Sequence, residues 1–534
     1  MRTKLIAAIA AIGLAYRCRK EFTPVDKIAH GLSPSLAPID VHDTMSVSPT
    51  GTTTIIARQL GVPITGEGLF LPNGNTNTTW GLSETDMNIM FETDNHEIAS
   101  VFGDNFRTSD GNNRLDWKSN AMAFSSDRDL RDGMTYSSFV AQGSGIQELI
   151  DVDPGETTKI PTAAISIDGR MYIHYMAVLN DWNEPSGTPN DNDEWTLSYG
   201  EIAYSDDYGQ NWIKSGTKWA ATSNFAQAAY LKDANYLYMF GTQHGRHGKV
   251  YLARVLQSDV LVKSSYRYYT GNGNSSSTST TDWSANEADA RPVTPNETSE
   301  FSVAYSTRYK RYFMMYLSIP RRAIVFRDAK DVTGPWSEEK VIAENVINGQ
   351  TNWSYAAYFH PWSMGGDDLY FVVSHTNPKW SVFMYHTKIG QKRFNMVSEG
   401  DFEEFPSEAI GYQTQWKVPN SVSAAGYNSP TGCKLANSTS SPVEVAVQTI
   451  AVKKNTTYKV TAMAKASTTV TGMYFGIRRA DGTFDDYAPS LNTNWQKISR
   501  NVTTGNNTSV DVRAVLFGAP GVDVTIDNVT MEPL

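Results

Sequence analysis

Ser205-Asp206-Asp207-Tyr208-Gly209-Gln210-Asn211-Trp212 follows the pattern S-x-D-x-G-x-x-W. Asp207 and Gly209 suit a tight hairpin: an Asp side chain bonds the backbone of its own turn, and Gly accepts a positive φ at no steric cost. Trp212 then plugs between the strands that the turn joins. Short apolar or aromatic runs lie on either side of this stretch, at Ile98–Phe102, Met171–Met176, Tyr236–Phe240, Tyr312–Leu317 and Leu369–Val373. Gly, Asp, Asn or Pro flank each run, which is the mark of strands punctuated by turns. Their apolar composition reads as buried inner strands. No long stretch with the 3.6-residue helical period follows residue 20.

The runs recur. A unit begins near residues 86, 160, 224, 300 and 355, and several units pair an apolar strand with a polar turn and a second strand, as in Ile165–Ile173 and Ser302–Tyr316. Repeats of this kind point to propeller blades, and five would fill residues 65–395. A two-sheet sandwich is the alternative. The S-x-D-x-G-x-x-W turn resembles the Asp-box of sialidase-like propellers, whose role is structural, so Asp207 is not a catalytic candidate. Residues 271–300 are polar and of low complexity and read as a long loop between blades. Residues 21–64 lack periodicity and read as an N-terminal arm. From about residue 396 the chain becomes Thr/Val-rich, with alternating strands such as Thr457–Met463 and Val510–Leu516, the pattern of a β-sandwich over 397–534. Its opening Gly400-Asp401-Phe402-Glu403 and closing Ile526-Asp527-Asn528-Val529 resemble jelly-roll carbohydrate-binding modules. A generic adhesion or spacer sandwich is the other reading. The expected fold class is therefore all-β: a five-bladed β-propeller followed by a jelly-roll β-sandwich.

Composition sets outer bounds. The 534 residues are 40% hydrophobic and 19% charged, a globular balance able to bury cores. A net charge of −10 without a basic stripe argues against nucleic acid as partner. The aromatic share of 11% suits stacking on sugar rings, though β-rich proteins favour aromatics anyway. Cys18 and Cys433 fit no zinc or thioredoxin spacing. At the N-terminus, a basic start precedes the apolar run Leu5–Ala15, which is too short to span a bilayer. Residues 1–20 read either as a brief signal peptide or as the retained start of a phage virion protein. Both place the chain outside the cell, as a secreted or virion-borne protein.

Two carboxylates are the candidates for chemistry. Asp86 and Asp104 are 18 residues apart, separated by a strand, the polar turn Glu92–Glu97 and a returning strand. Antiparallel neighbours would set both at one end of a blade. Glycoside hydrolysis requires such a pair, one acid to protonate the leaving oxygen and one carboxylate to activate water or attack the anomeric carbon. Asp104 could equally cap a turn after Gly103. Trp117, Asn120, His174, Asn224 and His360 are candidate substrate-binding residues, against the commoner structural use of such residues. His244 and His247 sit in a Gly-rich turn rather than on a helix, which speaks against a metal site. No P-loop, dinucleotide or G-x-S-x-G fingerprint occurs, so no cofactor or metal is expected.

Several stretches in order resemble one family. They are Asp86 through Phe106, Trp117–Asn120, Ile160–Thr162 with Ile173–Met176, Gly200–Trp212, Asn224-Phe225, Met239–Thr242 with Leu252–Val255, Gly334–Trp336 and His360–Trp362. Together they look like the actinobacterial, bacteroidete and phage propellers that were long described as a domain of unknown function and are associated with endo-D-arabinanases. The resemblance spans about residues 80–390. It implies a five-bladed propeller that cuts internal α-D-arabinofuranosyl linkages of mycobacterial cell-wall arabinan, in arabinogalactan or lipoarabinomannan, by an inverting mechanism. It also implies that Asp86 and Asp104 are the acid/base pair. The competing reading is a non-catalytic phage tail or adhesion protein that binds cell-surface polysaccharide, with other virion or tail proteins as partners. A sialidase would need an arginine triad and a nucleophilic Tyr, and that constellation is not identifiable in the sequence.

Overall fold

The computed structural model describes residues 45–58, 82–106, 114–143, 145–179, 195–246, 248–271, 282–294, 296–344, 354–376, 380–393, 432–436, 443–517 and 521–534, with a few shorter stretches between them. His247, Cys18 and the segment 1–20 lie outside these residues, as does most of the expected arm.

Five antiparallel sheets form the first part of the chain. Blade 1 holds Glu84–Glu92, Ile98–Phe106, Lys118–Ser125 and Ser138–Phe139. Blade 2 holds Thr158–Ile167, Arg170–Val178, Leu197–Ser205 and Ile213–Ala220. Blade 3 begins with Gln227–Asp233, Tyr236–Thr242 and Tyr251–Leu256, blade 4 with Phe301–Ser306, Arg311–Ser318 and Ala323–Ala329, and blade 5 with Ser354–Phe359, Asp368–His375 and Ser381–Arg393. The first strand of each blade packs against the first strand of the next, and that of blade 5 packs against that of blade 1. The ring is closed: this is a five-bladed β-propeller.

The hydrophobic pattern explains the order within a blade. Thr158–Ile167 is buried at every position, whereas the outermost strand of the same blade, Ile213–Ala220, alternates with solvent. An inner strand has a neighbouring blade on both faces and so reads as an unbroken apolar run. The turn after Ser205 uses its motif as expected of an Asp-box. Gly209 N–H and Asn211 N–H donate to Ser205 Oγ (2.9 Å) and Asp207 Oδ1 (2.8 Å), and Trp212 Nε1 donates to the Gly209 carbonyl at 3.0 Å.

Two expectations are amended. The N-terminal segment is not wholly an arm: Met45–Pro49 and Thr54–Arg58 both pair with Ser381–Arg393 and supply the outer edge of blade 5. Of the expected loop at 271–300, Trp283–Ser284 adds a strand to blade 3, and 272–281 lie outside the described residues. A buried polar knot holds the N-terminal strand down. Lys340 Nζ donates to the Val47 carbonyl and Ser46 Oγ, both at 2.5 Å, and to Asp328 Oδ1 at 2.8 Å. Asp328 also pairs with Arg311 and accepts from Ser46.

The C-terminal part packs a five-stranded sheet on a four-stranded one around Phe402, Trp416, Leu435, Tyr458, Phe475, Leu516 and Ile526, the architecture of a β-sandwich. Cys433 is buried in this core. Asn395 stitches the two parts together. Its Nδ2 donates to the Val529 carbonyl at 3.1 Å, and its own carbonyl accepts from Glu338 N–H at 2.5 Å. Among the described residues no helix is long and apolar enough to cross a membrane.

Removing one partner of a buried charge cluster leaves the others desolvated without compensation, at a cost of ~3–5 kcal/mol. Lys340→Ala is therefore expected to lower the melting temperature far more than Arg131→Ala, which breaks only an exposed pair with Asp129. Calorimetry of the two variants side by side checks this, and equal losses would show that the knot does not hold the ring closed.

Candidate active site

The first two strands of blade 1 set Asp86 opposite Gly103, with the register slipping on both sides of that pair. Met87 and Asn88 take φ values of 69° and 68°, and Asp104 takes 31°. Bulges re-aim side chains, and left-handed backbone at such residues persists only where its surroundings enforce it. Here they do. Met87 N–H donates to Ser374 Oγ of blade 5, and Asn88 Nδ2 donates to Tyr136 Oη, both at 2.9 Å. Gly103 is required by space: a Cβ there would stand 2.7 Å from Asp86 Oδ1 and 2.9 Å from Met87 Cγ.

Asp86 is buried and its Oδ2 accepts from Tyr355 Oη at 2.7 Å. Burial pushes its carboxyl up to about 8, helped by the charges of Asp104 and Glu300 and opposed by the Tyr355 hydrogen bond and the Arg246 charge. Burial thus favours the protonated form of Asp86. Asp104, also buried, accepts from Trp117 Nε1 at 3.1 Å and from Thr158 Oγ1 at 3.0 Å. Asp86 lines a cavity of about 170 Å³ with Ile160, Met176, Trp195, Arg246, Glu300 and Tyr355 among its walls. Asp104 is not among the lining residues; it is bonded to Trp117 and Thr158. Arg246 grips Glu300 through two bonds, Nη2–Oε1 at 2.8 Å and Nε–Oε2 at 3.2 Å. A larger cavity of about 640 Å³ follows the far ends of the innermost strands, from Ile89 to Met364; it holds neither aspartate.

The other sequence candidates scatter. Trp117 is 37% exposed and touches Asp104, so it stands at the site with its ring open to solvent. Asn120 does not: it is wholly buried, its Nδ2 donating to the Ile150 and Lys159 carbonyls and its Oδ1 accepting from Leu149 and Ile150 N–H. It braces blade 1 against blade 2. His174 is also fully buried, bonded to Thr162 Oγ1 at 2.7 Å and packed on Trp219, and burial lowers it to about 3. His360 is equally buried and neutral. It accepts from Trp362 N–H and caps the short helical turn Pro361–Gly365, at the opposite end of its strand from Tyr355. Both imidazoles are shut off from solvent. Asn224 is half-buried, with its carbonyl pressed towards Gly241. Tyr355, Arg246, Glu300 and Thr158 escaped the sequence reading, having no motif of their own. Among the described residues no group of three His, Cys, Asp or Glu side chains could hold a metal.

Fold and site together define a β-propeller protein with a buried carboxyl pair and an attached β-sandwich. The chain belongs to the family described as "Domain of unknown function (DUF4185)", whose model matches residues 72–386. A carbohydrate binding domain model matches residues 395–520. Notoamide biosynthesis cluster protein J of Aspergillus sp. (strain MF297-2) is 29% identical over 320 residues, which is 55% of this chain and 80% of that protein. A crystal structure from Bacteroides ovatus is 14% identical, covering 58% of this chain and 87% of that one at a TM-score of 0.42. The Trypanosoma rangeli sialidase is 10% identical, covering 91% and 96% at a TM-score of 0.38.

The raised Asp86 carboxyl has a consequence for stability. Between about pH 4 and pH 8 the folded state holds a proton that the unfolded chain has lost, so stability falls as pH rises across that window and levels off beyond it. Asp86→Asn does not titrate. Its melting temperature relative to the parent is expected to climb from pH 4 to pH 8. A constant difference across that range would mean that Asp86 ionises normally.

Proposed function

We propose that this protein is a glycoside hydrolase that cleaves internal α-D-arabinofuranosyl linkages of mycobacterial-type arabinan with inversion. The observation that carries the reading is the buried Asp86 on a cavity wall, its carboxyl raised by desolvation, one hairpin away from Asp104. The resemblance of the ordered motifs to endo-D-arabinanases supplies the sugar. In this reading Asp86 gives its proton to the leaving glycosidic oxygen as the C–O bond breaks. Asp104 takes a proton from the water whose oxygen bonds to the anomeric carbon. Net, one water is consumed and the carboxyls exchange roles until solvent resets them. Trp117, pinned through its indole N–H to Asp104, offers an apolar ring on which the C–H face of a sugar can lie. A sialidase-type reading would need arginines free to take a substrate carboxylate, whereas Arg246 in this cavity is committed to Glu300.

The sandwich serves targeting. Tyr474 and Phe517 are both exposed and meet edge to face at 5.3 Å between centroids, an aromatic platform suited to polysaccharide. An extracellular or virion location goes with such a substrate.

Asp86→Asn and Asp104→Asn are each expected to cut turnover on purified arabinogalactan by ~10²–10⁴-fold with the fold intact. Oligosaccharide analysis and NMR of the first-formed anomer supply the readout. Wild-type rates in either variant would remove that residue from the mechanism, and retained anomeric configuration would rule out inversion. Tyr474→Ala should weaken retention on insoluble cell wall while leaving hydrolysis of soluble arabinan unchanged, as compared by pull-down and reducing-end release. Unchanged retention would place the binding face elsewhere.

A further inference from the structure

We infer that Tyr355, Arg246 and Glu300 are positioning residues for Asp86: they fix which of its oxygens carries the transferable proton and how firmly that proton is held. The inference rests on the acid role proposed for Asp86.

The hydroxyl of Tyr355 selects the oxygen. It sits 2.7 Å from Asp86 Oδ2, and burial keeps it protonated, well above the ordinary phenol range. A neutral carboxyl has one hydroxyl oxygen and one carbonyl oxygen. A phenol that donates to Oδ2 makes Oδ2 the carbonyl, so the proton rides on Oδ1. Oδ1 lies against Gly103, the residue before Asp104. The proton therefore sits on the oxygen that faces Gly103 of the neighbouring strand. When it departs to a leaving oxygen, the negative charge left on Asp86 is met by the same phenolic O–H, now a charge-assisted bond and a stronger one.

The ion pair sets how firmly the proton is held. Arg246 and Glu300 are both buried and both line the cavity with Asp86. Desolvating two charges is costly, and a buried pair is weak evidence of a stabilising device. Here its two members act on Asp86 in opposite senses, Glu300 favouring the proton and Arg246 opposing it. The guanidinium also lies 5.1 Å from the centre of the Tyr355 ring, so the phenol is packed between the cation and the acid. The other ionisable groups facing Asp86 are Asp104 on its own blade and Tyr358 on blade 5. Blade 2 contributes the uncharged Ile160 and Met176 to the cavity, and Lys159 is turned to Asp153 and Glu156. Thr376 and Trp380 complete the wall without charge.

The test is a direct titration of the Asp86 carboxyl by carbon NMR in the full chain, comparing the parent with Tyr355→Phe and Glu300→Gln. Removing the phenolic donor should move the midpoint up by about one pH unit. Removing the Glu300 charge should move it down by about the same amount, since Arg246 then acts unopposed. The alkaline limb of kcat/KM on arabinan should follow in the same two directions, with kcat reduced in Tyr355→Phe and KM little changed. A purely structural role would not split the shifts in sign. Midpoints that stay put, or that move together, overturn the inference. Tyr355→Phe deletes a single oxygen, so its titration decides the matter even if Glu300→Gln fails to fold. Activity of Asp86→Asn is a separate readout: an active variant defeats the acid role, whereas an inactive one beside unmoved midpoints defeats only the positioning set.

Discussion

Ring closure is the constraint on which everything else in this molecule depends. A propeller blade buries its inner strand only if another blade covers each face, so the first and last blades need one another. The strand Met45–Pro49 lies against Ser381–Arg393 and so joins the start of the propeller to its end. Hydrogen bonds of the ladder are supplemented by Lys340, which reaches from blade 4 to the Val47 carbonyl. The closed ring brings residues from all five blades to one end of the axis. Asp86 and Asp104 come from blade 1, Thr158 and Ile160 from blade 2, Arg246 from the loop after the second strand of blade 3, Glu300 from the threshold of blade 4 and Tyr355 from blade 5. No single blade contains the site.

The site is also where the backbone departs most from regular strand. Left-handed φ values at Met87, Asn88 and Asp104 are joined by Ala356 at 51°, beside Tyr355. Each such residue costs of order 1–3 kcal/mol; Met87, Asn88 and Ala356 lie in innermost strands and Asp104 in the second strand of blade 1. Their effect is geometric. A regular inner strand would send alternate side chains into the flanking blades, whereas the bulge at Met87 lets Asp86 lie on the cavity wall above Gly103. The strain is held by bonds from Ser374 and Tyr136, so the same packing that closes the ring also sets the carboxyl.

Burial acts in opposite senses on the buried carboxyl and the buried imidazoles. Desolvation raises Asp86 and lowers His174 and His360, in each case favouring the neutral form. For a carboxyl that outcome holds the proton to higher pH. For an imidazole with no access to the cavity it creates an inert wedge between strands. One physical effect thus has two functional meanings, and the difference lies in what each group faces.

The strand runs, the Asp-box turn, the change of character near residue 396 and the Asp86–Asp104 hairpin were all legible in the sequence, because each is a local pattern. A blade is built from consecutive strands, so its apolar runs, turns and internal spacings are written within a few tens of residues. The partnership of Asp86 with Tyr355 spans 269 residues, that of Arg246 with Glu300 spans 54, and the strand at Met45 meets one that ends at Arg393. Contacts between blades carry no period and no motif, since any residue at the right height on an inner strand or loop can make them. Exposure was equally hidden: Asn120, His174 and His360 are candidate sugar ligands in one dimension and are fully buried in three. The sequence by itself determined an all-β chain of repeated blades with two carboxylates on one hairpin. Only the tertiary structure decided how burial and surroundings act on them, raising the Asp86 carboxyl, because desolvation and the field of distant charges exist only once the ring has closed.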